Sequence, residues 1–309
     1  MSPQIAIAPV DCPVAPAPHA AIVKAVVEGG GEICEVERAQ GLIWVDFTDP
    51  GALEQALEQA PELRWVQLVT AGVDLMRPLF SADRIWTSAK GLYSEPIAEY
   101  IVATLLSEFR SIPRYVAERS WTKQPTRTLL GANVTIVGGG GIAAALIAML
   151  QPWRCQITVV RRTAQPMPGT VAVVPADQLH NAVRDADVVV LALALTDDTV
   201  GIIDASVLAA MPTGSWLVNV ARGPHVDAAA LVDALTTNSI AGAILDVTDP
   251  EPLPADHRLW QLDNCLITPH TSCPSALAQP YLLARIVENV RRFSAGDQLD
   301  GLVDIEAGY

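Results

Sequence analysis

The sequence predicts an α/β protein made of two doubly wound parallel sheets with helices on both faces. Short apolar strands alternate with helical segments along the chain. Unbroken apolar runs, such as VVVLALAL at 188–195, fit strands buried on both faces. A strand at Asn133–Val137 runs into a cluster of glycines and then an apolar helix.

In chain order, strands are expected over 4–10 and 41–47, a helix over Pro50–Gln59, and a strand over 65–69. A longer helix starts near Glu95. Its apolar residues Ile97, Ile101, Leu105 and Phe109 recur at i, i+4, i+8 and i+12, which makes one packing face, and Pro113 interrupts it. A second α/β set opens at Asn133–Val137. It continues with strands at Gln156–Val160, 187–193, 215–220, 240–246 and 265–268. A last amphipathic helix over 276–293 ends near Gly296.

The bulk numbers agree with this organisation. A chain of 309 residues fits two ordinary domains and can bury a sizeable core without disulfides or metal. Half the residues are apolar and 17% are charged, which excludes a disordered chain. A net charge of −14 argues against nucleic acid or an anionic membrane as partner. An anionic substrate would then need a local basic site. Cys12, Cys34, Cys155, Cys265 and Cys273 are odd in number and lack CxxC spacing, so neither a disulfide framework nor a metal site is expected. The first residues lack the charged start and apolar run of a signal peptide. No apolar stretch is long enough to span a bilayer. A cytoplasmic protein with reduced thiols is the expectation.

Gly138, Gly140 and Ala143 satisfy G-x-G-x-x-A, with Gly141 and Ile142 opening the helix. The first glycine permits the tight turn and the second lets a pyrophosphate approach the backbone. The small third residue lets helix and strand pack closely. The helix N-terminus adds free N–H groups and partial positive charge. A flexible loop is the alternative, but the flanking strand and helix favour a dinucleotide. An acidic residue about 20 positions further on would hold the ribose hydroxyls of NAD. Arg161, Arg162 and Thr163 stand there instead. Two guanidinium groups and a hydroxyl suit a 2′-phosphate, so NADP is expected over NAD, with a solvated basic turn as the alternative.

Further motifs resemble, in order, those of the D-isomer-specific 2-hydroxyacid dehydrogenases, with the glyoxylate/hydroxypyruvate reductase branch the nearest likeness. Ala71–Gly72–Val73–Asp74 is similar to the substrate loop, and Gly91 with Ala98–Glu99 to the start of the interdomain helix. Asn219–Val220–Ala221–Arg222–Gly223 is similar to N-x-A-R-G. Asp246 through Pro254 resembles D-V-x-x-x-E-P-L-P, and Thr268–Pro269–His270 resembles the T-P-H that carries the catalytic histidine.

The resemblance implies a Rossmann cofactor domain, 96–283, inserted in a flavodoxin-like substrate domain formed by 1–95 and 284–309. It also implies a homodimer joined through the cofactor domains, and an active site in the interdomain cleft. The implied reaction is reduction of a small 2-keto acid to the D-2-hydroxy acid. Arg222 would bind carboxylate and carbonyl, because its planar fork matches both and stays charged. His270 would be the acid/base, since histidine titrates near neutrality. Glu251 would orient it. Backbone N–H groups at Ala71 and Gly72 would help hold the carboxylate. Ala221 and Asp246 would lie at the cofactor, with a turn cap as the alternative for Asp246. Of the remaining histidines, His19, His180, His225 and His257 match no motif and are read as surface or structural. The sequence departs from the family pattern at Gly141, Ala143, Ala194 and the missing ribose carboxylate. The competing reading is an NAD(P)-sensing, corepressor-like binding protein, since such proteins keep the Arg/Glu/His set.

Overall fold

The computed structural model describes residues 2–309. The chain forms two compact units, Met1–Tyr93 with Pro274–Tyr309, and Ser94–Cys273. The sequence boundary at 283/284 falls inside the last helix, whereas the units divide just before that helix begins.

The first unit opens with β1 (Gln4–Ala8), α1 (His19–Glu28), β2 (Glu32–Ile33), β3 (Gly41–Trp44), α2 (Pro50–Gln59), β4 (Trp65–Leu68) and β5 (Ile85–Thr87). Among the described residues it holds a five-stranded sheet ordered β2-β1-β3-β4-β5. Every pairing is parallel. This is the doubly wound order of flavodoxin-like sheets, with its switch point between β1 and β3. β1 is shorter than expected because Pro9 has no N–H for the ladder. Helix α2 starts where Asp49 accepts a hydrogen bond from the Ala52 N–H at 2.9 Å.

The second unit contains α3 (Ser94–Phe109), α4 (Ile112–Glu118), β6 (Asn133–Val137), α5 (Gly141–Leu150), β7 (Gln156–Val160), β8 (Ala172–Val174), α6 (Leu179–Ala182), β9 (Val188–Leu191), α7 (Ala205–Ala210), β10 (Trp216–Asn219), α8 (Ala228–Thr236), β11 (Gly242–Leu245) and β12 (Cys265–Ile267). Its strands form a seven-stranded sheet among the described residues, ordered β12-β11-β10-β9-β6-β7-β8. All its pairings are parallel. The order is the Rossmann one, with the switch point between β6 and β9.

Strand alternation explains how both faces are filled. Val188 and Val190 join one core with Ile101, Leu105 and Phe109 of α3 and Leu146 of α5. Val189 and Leu191 join the opposite core with Val207 of α7 and Leu231 of α8. Ile97, expected on the α3 stripe, is only partly buried. Pro113 stops nothing that would have continued. Ser111 turns the chain with a φ of 52°, and Pro113 then sits in the first turn of α4, where its missing N–H costs no hydrogen bond.

The last helix, α9 (Ser275–Ala295), belongs to the first unit. Leu282, Ile286 and Val290 pack with Ile22 and Val26 of α1 against Ile5, Ile7 and Ile43. Each such side chain contributes about 1.5–3 kcal/mol on burial. Buried Asn289 adds a polar tie, donating to Gln67 of β4 at 2.8 Å.

Candidate active site

The functional side chains of the second unit stand at the carboxyl ends of its parallel strands. Doubly wound sheets bind ligands there, because the loops diverge at the switch point. β6 ends in the glycine turn. Gly138 has a φ of 115°, a left-handed value, and a Cβ on it would collide with the Ala192 carbonyl after β9. Gly140 caps α5 in an extended conformation, without a side-chain cap and with no acidic residue in the first turn. A Cβ there would meet no atom within 4 Å. The result is an open approach to a helix N-terminus, which fits a pyrophosphate. The aliphatic end of Arg161, just past β7, lies over Gly139, where an added Cβ would fall 2.8 Å from its Cδ. Arg162 and Thr163 follow on the exposed turn.

β10 ends at Asn219, whose side chain folds the next turn. Its Oδ1 accepts from the Ala221 N–H at 3.0 Å, and its Nδ2 donates to the Arg222 carbonyl at 2.9 Å. Ala221 is buried. Arg222 is half-buried and donates from Nη1 to the Ala221 carbonyl at 2.8 Å. Gly223 has no room for a side chain against the Thr248 carbonyl.

β11 and β12 bring the acid/base candidates together. His270 Nδ1 lies 2.7 Å from Glu251 Oε1, and both side chains are about half exposed. With the proton on Nδ1 donated to the carboxylate, Nε2 is the atom left for exchange. His270 takes a left-handed φ of 50°. Its N–H donates to the Asp246 main-chain carbonyl at 2.8 Å. The Asp246 side chain is 1% exposed. It accepts from the Thr268 hydroxyl at 2.7 Å, the Thr271 N–H at 2.7 Å and the Ser272 N–H at 2.9 Å. The loop bearing His270 is therefore fastened to the end of β11. Tyr100 of α3 extends the network, its hydroxyl 2.5 Å from Thr268 Oγ1. Because Thr268 gives its proton to Asp246, Tyr100 donates to Thr268. Burial, countered in part by this hydrogen bond and reinforced by the Asp246 charge, pushes the Tyr100 phenol up to about 12.

Ala71 and Gly72 follow β4 in the first unit, in a turn closed by the Thr70 hydroxyl donating to the Gly72 carbonyl at 2.8 Å. Sequence reasoning missed Asn219, Tyr100 and Thr268. Asn219 and Thr268 lie inside motifs quoted for their neighbours, and Tyr100 gave no signal beyond its place on a packed helix. Among the described residues no group of three or more His, Cys, Asp or Glu is placed to hold a metal ion, and no helix is long and apolar enough to cross a membrane.

A switch-point glycine turn on a helix N-terminus, with a histidine–carboxylate pair along the same strand ends, defines a dinucleotide-binding protein equipped for proton transfer. Comparison with known proteins sharpens this. The model for the D-isomer specific 2-hydroxyacid dehydrogenase NAD-binding domain matches residues 100–272, more than half of the chain. An uncharacterized protein from Corynebacterium melassecola is 36% identical over 294 residues, covering 92% of this chain and 95% of the relative. A glyoxylate/hydroxypyruvate reductase A from Salmonella paratyphi B is 31% identical over 240 residues, covering 77% and 74%. A D-isomer specific 2-hydroxyacid dehydrogenase from Xanthobacter autotrophicus Py2, solved with NADPH and MES, superposes with a TM-score of 0.85 at 28% identity over 100% of both chains. The chain belongs to the D-isomer specific 2-hydroxyacid dehydrogenase family, on the branch that resembles glyoxylate/hydroxypyruvate reductase A. It is an NAD(P)-dependent oxidoreductase.

Proposed function

We propose that the protein reduces a small 2-keto acid of the glyoxylate or hydroxypyruvate kind to the D-2-hydroxy acid. The observation that carries this reading is the 2.7 Å contact between His270 Nδ1 and Glu251 Oε1. The carboxylate accepts from Nδ1 and fixes the ring, so Nε2 is the atom that can deliver a proton to the carbonyl oxygen. Arg222 binds the substrate carboxylate and polarises the carbonyl. The backbone N–H groups of Ala71 and Gly72 are further carboxylate donors, which makes Met1–Tyr93 with Pro274–Tyr309 the substrate unit. The bound nicotinamide nucleotide supplies the hydride. Gly138, Gly140, Gly141 and Ile142 would hold its pyrophosphate, with Ala221 and the end of β11 at Asp246 alongside. Arg161, Arg162 and Thr163 would hold a 2′-phosphate, so NADP is the preferred cofactor.

The exposed apolar residues Ile112, Val116 and Trp121 support a homodimer formed through the second unit. Light scattering should give twice the chain mass, and Trp121→Glu should lower it. Five free cysteines suit a reducing cytoplasm.

The test follows NADPH and NADH absorbance with glyoxylate, hydroxypyruvate, pyruvate, phenylpyruvate and 2-ketoisocaproate, and determines product chirality. Turnover to a D-hydroxy acid, with higher kcat/KM for NADPH, is expected. Tight cofactor binding with no turnover on the panel would move the chain to a sensing role. Equal or better kcat/KM with NADH would remove the 2′-phosphate role of Arg161 and Arg162.

A further inference from the structure

His225 is fully buried and has no part in the chemistry proposed above. It closes the short turn Gly223–His225 directly after Arg222. Its Nδ1 lies 2.9 Å from the Arg222 main-chain carbonyl, and its Nε2 lies 3.3 Å from the Ala194 carbonyl. Carbonyl oxygens only accept, so the ring serves as donor at either contact. The shorter contact falls on Arg222.

The surroundings give this contact its meaning. The Arg222 carbonyl also accepts from Asn219 Nδ2. Gly223 is wedged against the Thr248 carbonyl. The Arg222 carbonyl is thus met by two side chains and by the His225 N–H at 3.3 Å, and the next residue, Gly223, is tightly packed. Ala194 belongs to the segment after β9, whose Ala192 carbonyl touches Gly138. The imidazole therefore stands between the segment beside the glycine turn and the residue that carries the guanidinium, and its 2.9 Å contact places the donated proton on the Arg222 side.

We propose that His225 is a positioning residue that, through Nδ1, fixes the main chain of Arg222 and so sets where the guanidinium meets the substrate. This rests on the assignment of Arg222 as the carboxylate and carbonyl ligand. A displacement of about 1 Å at a substrate-positioning group can cost about a hundredfold in rate.

Two substitutions separate the ring nitrogens. His225→Asn keeps a donor where Nδ1 stands, and His225→Gln keeps one where Nε2 stands. The Gln variant is expected to lose about tenfold in kcat/KM for the 2-keto acid, the equivalent of one lost hydrogen bond. Its Kd for NADPH should stay within about twofold of wild type on the same scale. The Asn variant should recover most of the loss. Equal losses in both variants, or parallel loss of cofactor binding, would overturn the proposal and leave His225 a packing residue. Arg222→Lys is measured beside them. A loss in the Arg222→Lys variant with none in the His225→Gln variant overturns the role of His225 alone. No loss in the Arg222→Lys variant removes the assignment of Arg222 itself. If the His225→Gln variant does not fold, ¹⁵N NMR of the wild-type ring decides. A proton on Nδ1 is required, and a ring protonated only on Nε2 contradicts the proposal.

Discussion

Two carboxylates serve the loop that carries His270, and the protein treats them in opposite ways. Glu251 is about half exposed and makes its contact with the imidazole Nδ1. Asp246 is buried and accepts from one hydroxyl and two backbone N–H groups. The first is placed to act on a proton. The second is placed to hold a backbone still, including a histidine in a left-handed conformation that a β-carbon disfavours. Their chemistry is the same, and under the proposed function their surroundings divide the work between catalysis and scaffold.

This contrast can be broken by substitution. Asp246→Ala should have the largest effect on stability, because it leaves three donors without their acceptor in a buried place. A loss of about 2–4 kcal/mol is expected. Scanning calorimetry should show it as a melting shift on the order of 10 °C in the second unit. Glu251→Gln should lower kcat by roughly 10- to 100-fold through loss of ring orientation, with the melting temperature nearly unchanged. If the two variants exchanged these signatures, the division of roles would be wrong.

Tyr100→Phe is the smallest change. It removes one hydrogen bond to Thr268, worth about 1 kcal/mol. It should also flatten part of the alkaline stability curve. The phenol sits at about 12 in the folded chain against its ordinary 10.0. A raised value means the folded state keeps the proton longer. Its stabilisation is complete below pH 10 and is lost as pH rises through 12. Burial also pushes the Cys265 thiol up to about 12 from 9.0, so thermal melts on the wild type should show a loss that begins near pH 9. The Phe variant should retain the share of the buried thiols, since burial raises Cys34, Cys155 and Cys273 as well.

The parts legible in the sequence were those whose physics is local. The glycine turn, the doubly buried strands and the α3 stripe each follow from spacing, whereas the histidine–glutamate pair came from the family resemblance, across two motifs 19 residues apart. The short strands β2, β5 and β8, with three residues or fewer, display no alternation and adjoin no motif, unlike the equally short β12, which runs into Thr268–Pro269–His270. Helix α1 was missed behind a proline-rich approach that carries no capping side chain. His225 was set aside because its meaning is nonlocal. Its partner Ala194 lies 31 residues away, on the loop of another strand. The unit boundary at Pro274 was hidden for a related reason, since the periodicity of α9 shows an apolar face but not which sheet it covers.

The most direct measurement is kcat of His270→Gln against wild type, with the best 2-keto acid and saturating cofactor. If His270 delivers the proton, kcat falls about 10²–10⁴-fold while cofactor affinity is kept. A loss of less than about tenfold would mean that the proton comes from elsewhere, and the Glu251 contact would then need another explanation.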